Sequence, residues 1–156
     1  MIDIDIPGRP PLHLATALVD FNGTLACDGR LIDGVAERLR ALSVSIDVRV
    51  VTGDTTGTAR EALAGLPVDI DIMPRDDQEH AKRAVIERLD PGATVAIGNG
   101  RNDRALAQRA ALSIAVIGPE GCALDVLLHA DVVCGSIVDA LDLLLLPRRL
   151  VATLRC

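Results

Sequence analysis

Short apolar runs alternate along the chain with segments in which apolar residues recur every three or four positions. Short uninterrupted apolar runs predict buried strands, and apolar residues at every third or fourth position predict amphipathic helices. Strands are predicted at 14–20, 47–51, 68–73, 94–97, 112–117 and 131–134. Helices are predicted at about 33–43, 56–65, 76–89, 105–110, 120–128, 136–145 and 147–154. This alternation of strand and helix predicts a parallel sheet with helices on both faces.

Two short features stand outside this alternation. Ile and Asp alternate over residues 2–6, and a Pro- and Gly-rich turn follows at 7–11. This pattern predicts a short extra N-terminal strand or hairpin that leads into the strand at 14–20. Asp28-Gly29 lies between short apolar flanks and is a strong hairpin-turn signal. We therefore expect a small flap at residues 25–31, beside the end of the first long strand.

Clusters of polar residues follow three of the predicted strands. Asp20 to Thr24 follows the first, Thr52 to Asp54 follows the second, and residues 98–103 follow the fourth. In open α/β sheets, ligands bind at the carboxyl ends of the strands. The three clusters share one site only if strand one lies between strands two and four, which gives the order 5-4-1-2-3. The predicted fold is a single α/β domain over residues 1–156, with three α/β/α layers in a Rossmann-like arrangement.

The amino-acid composition supports a functional role for these clusters. Lys82 is the only lysine among 16 cationic residues, and the three asparagines, Asn22, Asn99 and Asn102, all lie in the clusters. A compact ammonium group suits a site that needs one point charge near a phosphoryl group. A single lysine of this kind is more often a solvated helix residue. Lys82 is therefore a candidate site residue only because it occurs together with the three polar clusters.

Composition also excludes several classes of function. A net charge of −6 and a single aromatic residue, Phe21, argue against binding of nucleic acid. No uncharged apolar run approaches the ~18 residues of a membrane span, and the N-terminus lacks the basic start of a secretion signal. Four scattered cysteines without a CxxC spacing predict reduced thiols rather than a zinc site. We expect a cytoplasmic protein that contacts neither membrane nor nucleic acid.

Together the clusters resemble the motifs of the haloacid dehalogenase (HAD) superfamily of aspartyl-phosphate enzymes. Asp20-Phe21-Asn22-Gly23-Thr24 is similar to its first motif, Asp-x-Asp-Gly-Thr, Thr52 to its second, Lys82 to its third, and residues 98–103 to Gly-Asp-Gly-x-Asn-Asp. The segment Thr52 to Asp54 with Thr58-Ala59 resembles P-type ATPases, so the likeness is closest to their phosphorylation domain and its small soluble relatives. The intervals between the motifs are filled by single helices with their strands and turns, which implies that there is no cap domain.

The resemblance implies a Mg²⁺-dependent phosphohydrolase that acts on a phosphorylated substrate. Asp20 would be the nucleophile, and Asn22, Thr52 and Lys82 would complete the catalytic set. The phosphate would be held by Phe21, Gly23, Thr24, Gly53 and Lys82. Mg²⁺ would lie among Asp20, the backbone carbonyl of Asn22, Asn99 and Asp103. Capless relatives act on large substrates or close the site with a neighbouring subunit, so we expect a homo-oligomer, a dimer or tetramer, with Leu141 to Leu154 as one possible contact.

Two residues depart from the pattern of the superfamily. Asn22 stands where phosphatases have an acid that protonates the leaving group and activates water. Asn99 replaces a carboxylate ligand with a neutral amide, although Mg²⁺ prefers carboxylates. These amides leave open a catalytically impaired binding or assembly module. A receiver-like phospho-acceptor domain is a third alternative, but receivers need an acidic pair after the first strand, and Asp20 has no acidic neighbour.

Overall fold

The computed structural model describes residues 1–54, 57–74 and 76–156, and these ranges contain ten strands and seven α-helices. The strands are β1 (Ile2–Ile4), β2 (Leu12–Leu14), β3 (Thr16–Asp20), β4 (Ala26–Cys27), β5 (Arg30–Leu31), β6 (Asp47–Thr52), β7 (Asp69–Ile72), β8 (Thr94–Gly98), β9 (Leu112–Val116) and β10 (Val132–Cys134). The helices are α1 (Val35–Leu42), α2 (Thr58–Ala62), α3 (Gln78–Arg88), α4 (Arg104–Ala107), α5 (Leu124–Leu127), α6 (Ile137–Leu145) and α7 (Pro147–Leu154). Short 3₁₀ turns lie at Pro91–Ala93 and Arg101–Asp103.

The central sheet has six parallel strands in the order β10-β9-β8-β3-β6-β7. This confirms the predicted order and adds the short last strand at one edge. β3 lies in the middle, with Asp20 opposite Val51 of β6 and Val19 opposite Ile97 of β8. The chain leaves β3 in opposite directions to build the two halves of the sheet, so the carboxyl end of β3 is the switch point where ligands bind in such folds.

Side chains that alternate along the strands pack into separate clusters on the two faces of the sheet. Val19 belongs to a cluster that contains residues of α1, α6 and α7, and Leu18 belongs to one that contains Val85 and Ile86 of α3 and Leu106 of α4. Successive strand residues point to opposite faces, so the protein has three layers, as predicted. The sheet is therefore buried on both sides and holds the end of β3 rigidly.

Helices α6 and α7 use much of their apolar surface for this core. Leu141, Leu144 and Leu150 are buried in the cluster on their side of the sheet, whereas Leu146 is 47% exposed. The leucine-rich end therefore packs mainly against its own domain. The expected dimer or tetramer stays a prediction, and it needs a contact other than these three buried leucines.

The flap and the N-terminal hairpin are both present. β4 pairs with β5 through a turn in which Asp28 and Gly29 have φ values of 51° and 75°, and β1 pairs antiparallel with β2. Between β3 and β6 the chain holds only this flap and α1. The described ranges therefore contain no cap domain, and none of their helices has the length and apolar character needed to cross a membrane.

Several helices are shorter than the periodicity predicts, among them α1, α2 and α5. Helix α1 begins at Val35, later than the predicted start at about 33, because Gly34, with φ 83°, brings the chain into the helix from a left-handed turn. Helix α2 covers Thr58–Ala62, and part of the range predicted for it lies outside the described residues. Helix α5 covers only Leu124–Leu127, because residues 118–123 form a loop instead of a helical turn. We call residues 118–123 the site loop, because it reaches the carboxyl edge of the sheet.

Candidate active site

Asp20 is the last residue of β3, and its side chain meets the only lysine of the chain. Lys82 projects from α3, is fully buried, and places its Nζ 2.5 Å from Asp20 Oδ1 and 2.5 Å from Asp103 Oδ1. Burial raises the pKa of Asp20 to about 7, with a further increase from the charge of Asp103 that Lys82 only partly offsets. Burial alone would lower the pKa of Lys82, but Asp103 and Asp20 hold it above its ordinary value. The cluster is one ammonium group shared by two buried carboxyl groups.

Thr24 connects this cluster to the end of β8. Its buried Oγ1 lies 3.4 Å from Asp20 Oδ2 and 3.1 Å from Asn99 Oδ1, within hydrogen-bonding distance of both. Gly23 turns the chain between them with φ +77°, and a Cβ at this position would lie 2.4 Å from Asn99 Nδ2. Glycine is therefore required at residue 23 by backbone conformation and by space. The turn brings the predicted phosphate-binding residues Gly23 and Thr24 beside Asp20.

The end of β6 lies on the other side of Asp20. Thr52 is buried, and its Oγ1 accepts a hydrogen bond from the backbone N–H of Asp54 at 3.1 Å and lies 3.5 Å from Asn22 Nδ2. Asn22 itself is exposed. The carboxylate of Asp54 accepts from the backbone N–H of Ala59 at 3.2 Å, which holds its side chain at the start of α2. Thr52 and Asn22 thus meet as the predicted catalytic set requires.

Asp103 fixes the turn that follows β8. Its Oδ2 accepts backbone hydrogen bonds from Gly100 at 2.9 Å and Asn99 at 3.2 Å, while Oδ1 faces Lys82. A Cβ on Gly98 would lie 2.4 Å from Asp103 Oδ2, so glycine is needed for this close approach. Asp103 is 2% exposed and faces inward. This geometry suits a residue that positions Lys82, and its predicted role as a metal ligand stays a prediction.

Asn99 uses both ends of its amide. Oδ1 faces Thr24, and Nδ2 donates to the backbone carbonyl of Gly121 in the site loop at 3.1 Å. The backbone carbonyl of Asn99 also accepts a hydrogen bond from Ala123 at 2.8 Å. An aspartate at this position could not donate to Gly121. The amide therefore ties the site loop to the end of β8.

A cavity of about 310 Å³ opens over Asp20. Its lining consists of Asp20, Asn22, Gly53, Asp54, Gln78, Asn99, Gly100, Asn102 and Glu120. The sequence pattern predicts no individual role for Gln78, Asn102 or Glu120. Asn102 Nδ2 donates to Gln78 Oε1 at 2.8 Å, and Glu120 Oε1 accepts from the backbone N–H of Asp28 in the flap at 3.2 Å. Gln78 opens α3 and Glu120 lies on the site loop, so only the tertiary fold brings them to Asp20.

Replacing Lys82 with Met should destabilise the protein, because Asp20 and Asp103 would remain buried without a counter-charge. Removing one partner of a buried ion pair costs about 3–5 kcal/mol. A buried carboxyl whose pKa is raised above its ordinary 3.8 weakens the fold as pH rises, since the unfolded chain releases its proton first. Lys82 lowers the pKa of Asp20, so without it that pKa should rise further, and the loss of stability relative to the unchanged protein should deepen from about pH 4 upward.

Urea unfolding at pH 8 and pH 5.5 in EDTA measures this difference. Arg83→Met is the matched control, because Arg83 lies next to Lys82 on α3 but makes an exposed i,i+4 pair with Glu87. Exposed pairs contribute at most about 1 kcal/mol. A Lys82→Met variant as stable as Arg83→Met at pH 8 would contradict the assignment of Lys82 as the counter-charge of the cluster.

Two archaeal proteins are similar to this chain in sequence, and no family model matches it. The uncharacterized protein MJ0073 of Methanocaldococcus jannaschii is 47% identical over 90 residues, which are 55% of this chain and 97% of that protein. The uncharacterized protein MJ0072 of the same organism is 41% identical over 39 residues, which are 25% of this chain and 89% of that protein. The MJ0073 match covers nearly that whole protein at high identity.

Solved structures with the same fold are phosphatases and hydrolases. The 3-deoxy-D-manno-octulosonate 8-phosphate phosphatase of Moraxella catarrhalis, solved with magnesium, phosphate and its sugar acid, aligns with a TM-score of 0.69 at 19% identity over 85% of this chain and 86% of that one. The cobalt-bound form of the same phosphatase from Haemophilus influenzae aligns with a TM-score of 0.69 and 17% sequence identity, over 85% of this chain and 88% of that chain. A structure from Legionella pneumophila, described as a HAD superfamily hydrolase, aligns with a TM-score of 0.71 and 17% sequence identity, over 90% of this chain and 87% of that chain. At these identities the likeness establishes the fold, and it confirms the expected architecture.

Proposed function

Because this chain has the haloacid dehalogenase fold and belongs to the family of the archaeal protein MJ0073, we propose that it is a Mg²⁺-dependent phosphohydrolase. Asp20 is its nucleophile, and the reaction passes through an aspartyl phosphate. The structural neighbours include phosphatases of a sugar phosphate, which supports hydrolysis of a phosphate ester in this fold. A cytoplasmic location, a phosphorylated small molecule as substrate, and the nearer kinship with P-type ATPases belong to the same proposal.

The contact between Asp20 and Lys82 is the observation that carries this proposal. A buried ammonium group 2.5 Å from a carboxylate at a strand end, with a cavity opening over that carboxylate, combines a nucleophile with a fixed positive charge. Phosphoryl transfer depends mainly on positioning and on neutralising charge. Lys82 is held by Asp103 and packed into the α3 face of the sheet, so its charge does not have to be ordered when a substrate binds.

The chain's own residues account for both halves of the reaction. In the first half, an oxygen of Asp20 forms a bond to phosphorus and the ester oxygen leaves with the bonding pair. Thr52, Thr24 and the backbone N–H groups of Phe21 and Asn22 would bind the transferred oxygens, whereas the N–H of Gly23 already donates to the carbonyl of Ala26 at 2.8 Å. In the second half, water attacks phosphorus, Asp20 leaves as a carboxylate, and inorganic phosphate is released. Asn22 carries no exchangeable acidic proton, so the leaving oxygen takes its proton from solvent.

The residues present fit a Mg²⁺ ion in ligand chemistry. Thr24 Oγ1 lies within hydrogen-bonding distance of Asp20 Oδ2 and Asn99 Oδ1, which brings these two oxygens to the same side of the cluster. With the backbone carbonyl of Asn22 they form an all-oxygen donor set, which Mg²⁺ requires. Bound there, Mg²⁺ would neutralise negative charge on the phosphoryl group. Only one of these three donors is anionic, so we expect weaker metal binding than a pair of carboxylates would give.

The two amides support a second candidate function, a binding or assembly module with little turnover. Asn22 cannot transfer a proton, and Nδ2 of Asn99 donates its hydrogen bond to the backbone carbonyl of Gly121 in the site loop. A site kept for binding a phosphorylated partner would need the positive charge of Lys82 and the turn at Gly23, but no general acid. The two candidates differ in whether phosphate is released.

Incubation of the full chain with p-nitrophenyl phosphate or acetyl phosphate tests the proposal. With Mg²⁺ we expect release of phosphate and a phosphoryl label on the protein that resists acid and is removed by hydroxylamine, as acyl phosphates are. With EDTA both signals should disappear. Absence of label and of release from both donors, in protein that binds Mg²⁺, would favour the binding module.

Replacing Asn99 with Asp should tighten Mg²⁺ binding and raise the rate, but it should also loosen the site loop. An anionic oxygen replaces a neutral one beside the metal, and we expect roughly tenfold tighter binding. The hydrogen bond to Gly121 is lost and leaves a carboxylate oxygen against a carbonyl, at a cost of about 1–3 kcal/mol of stability. Calorimetry and urea unfolding measure the two effects separately.

Asn102→Asp is the matched control for this prediction. It adds the same charge to the same turn, but Asn102 contacts Gln78 and Lys82 rather than Thr24 and Gly121. Equal tightening of Mg²⁺ binding in both variants would indicate a general effect of charge, and it would remove Asn99 from the metal site.

A further inference from the structure

The cavity over Asp20 is lined by acids and amides. Besides Asp20, the acids Asp54 and Glu120 line it, and Asn22, Gln78, Asn99 and Asn102 supply amides. Asp54 is held by the N–H of Ala59, and Glu120 by the N–H of Asp28. Each acid is therefore anchored through one oxygen to a backbone donor. A bound molecule meets these two charges next to the phosphoryl site.

Positive charge is scarce at the same place. None of the described residues that line the cavity is Lys, Arg or His. Lys82 is fully buried beneath it and is already engaged by Asp20 and Asp103. One ammonium group can offset the phosphoryl group, but no second cation among these lining residues could pair with another anionic group of a substrate.

Aromatic stacking is also absent from this site. Phe21 is the single aromatic residue of the whole chain, and it is fully buried in the core. Nucleotide sites generally hold the base against an aromatic or apolar face, which this polar lining does not offer. The volume of about 310 Å³ lies at the low end for small-molecule pockets, so the leaving group is about the size of one sugar.

From this lining we infer that the site accepts phosphate monoesters of small hydroxyl-rich or amine-bearing molecules, and that Asp54 and Glu120 exclude esters that carry a second anionic group. The inference rests on the proposed phosphohydrolase function. Amide and carboxylate groups are hydrogen-bond partners for hydroxyl and ammonium groups. The same carboxylates repel a carboxylate or a second phosphate of the leaving group.

Matched pairs of substrates test the inference. Glycerol 1-phosphate and 3-phosphoglycerate differ in a carboxylate on the same three-carbon frame, as do sorbitol 6-phosphate and 6-phosphogluconate on an open chain of six carbons. We expect kcat/KM to favour the uncharged member of each pair by at least about tenfold at low salt, and less at high salt because charges are screened. Glucosamine 6-phosphate should be used at least as well as glucose 6-phosphate, and adenosine monophosphate poorly.

Isosteric variants assign the selectivity to residues. Glu120→Gln and Asp54→Asn keep an acceptor oxygen for Asp28 and Ala59 but remove the charge, so each should reduce the preference within a pair by about threefold to tenfold. Glu37→Gln is the control, because Glu37 is an exposed glutamate on α1 outside the cavity. It should leave the preference unchanged.

The outcomes separate this inference from the function on which it rests. Hydrolysis of both members of a pair at equal rates, or faster hydrolysis of the carboxylated member, would overturn the inference and leave a phosphatase. A preference that persists in both charge-removing variants would overturn the roles of Asp54 and Glu120. Failure to release phosphate from any ester, p-nitrophenyl phosphate included, would overturn the proposed function and this inference with it.

Discussion

Asp20→Asn should lower phosphate release by at least about 10⁴-fold and should abolish the phosphoryl label on the protein. An amide oxygen is too weak a nucleophile to attack phosphorus, and losses of this order follow removal of a covalent nucleophile. The fold should survive, because Asn keeps an acceptor oxygen for Lys82, and its amide nitrogen can donate to the hydroxyl of Thr24, which still has Asn99 Oδ1 as its own acceptor. Lys82 also retains its contact with Asp103, and the repulsion between the two carboxyl groups is removed.

Asp47→Asn is the control for this substitution. Asp47 is an exposed aspartate at the amino end of β6, on the edge of the sheet opposite the site, so its replacement should change neither rate nor label. Urea unfolding of both variants establishes that they are folded. A folded Asp20→Asn variant that still releases phosphate at the original rate would refute the aspartyl-phosphate mechanism.

The arrangement of the sheet could be predicted because the chain repeats one physical pattern. Buried strands such as Thr16–Asp20 and Thr94–Gly98 are continuous apolar runs, and each ends in a polar residue or a glycine. Parallel strands with right-handed crossovers then leave few possible orders. The close approach of Asp20, Thr24, Thr52 and Lys82 follows from that order, since all four lie at or beside the carboxyl edge.

The parts that could not be predicted depend on tertiary contacts of irregular backbone. Residues 120–128 have helical periodicity, but Gly121 at φ +84° and the hydrogen bond from Ala123 to Asn99 turn the first of them into the site loop. Glu120 reaches the cavity only because of that loop. Likewise, the second partner of Asn99 is the carbonyl of Gly121, which no local pattern reveals. The sequence identified the amide as unusual, whereas its donor role required the folded chain.

Asn22→Asp should raise the rate of phosphate release by about 10²–10⁴-fold, the usual contribution of a general acid–base group. Asn22 is exposed at the cavity, and the hydrogen-bond partner of its side chain among the described residues, Thr52 Oγ1, is 3.5 Å away. An aspartate could therefore turn toward the leaving oxygen at little cost to the fold. The gain should come from proton transfer to the leaving group and faster breakdown of the aspartyl phosphate, while Mg²⁺ affinity should change less than in Asn99→Asp.

Single-turnover measurements separate these steps, and Gln78→Glu controls for added charge in the cavity, because Gln78 lines the cavity and contacts Asn102. Peptide mass spectrometry should accompany the assay, because Asn22 precedes Gly23 and slow deamidation would produce the same aspartate in stored protein. The variant with both Asn22→Asp and Asn99→Asp decides between the two candidate functions. If it folds, binds Mg²⁺ and releases no phosphate from any ester, the chain is not a phosphatase impaired only by its amides, and the binding module becomes the better explanation.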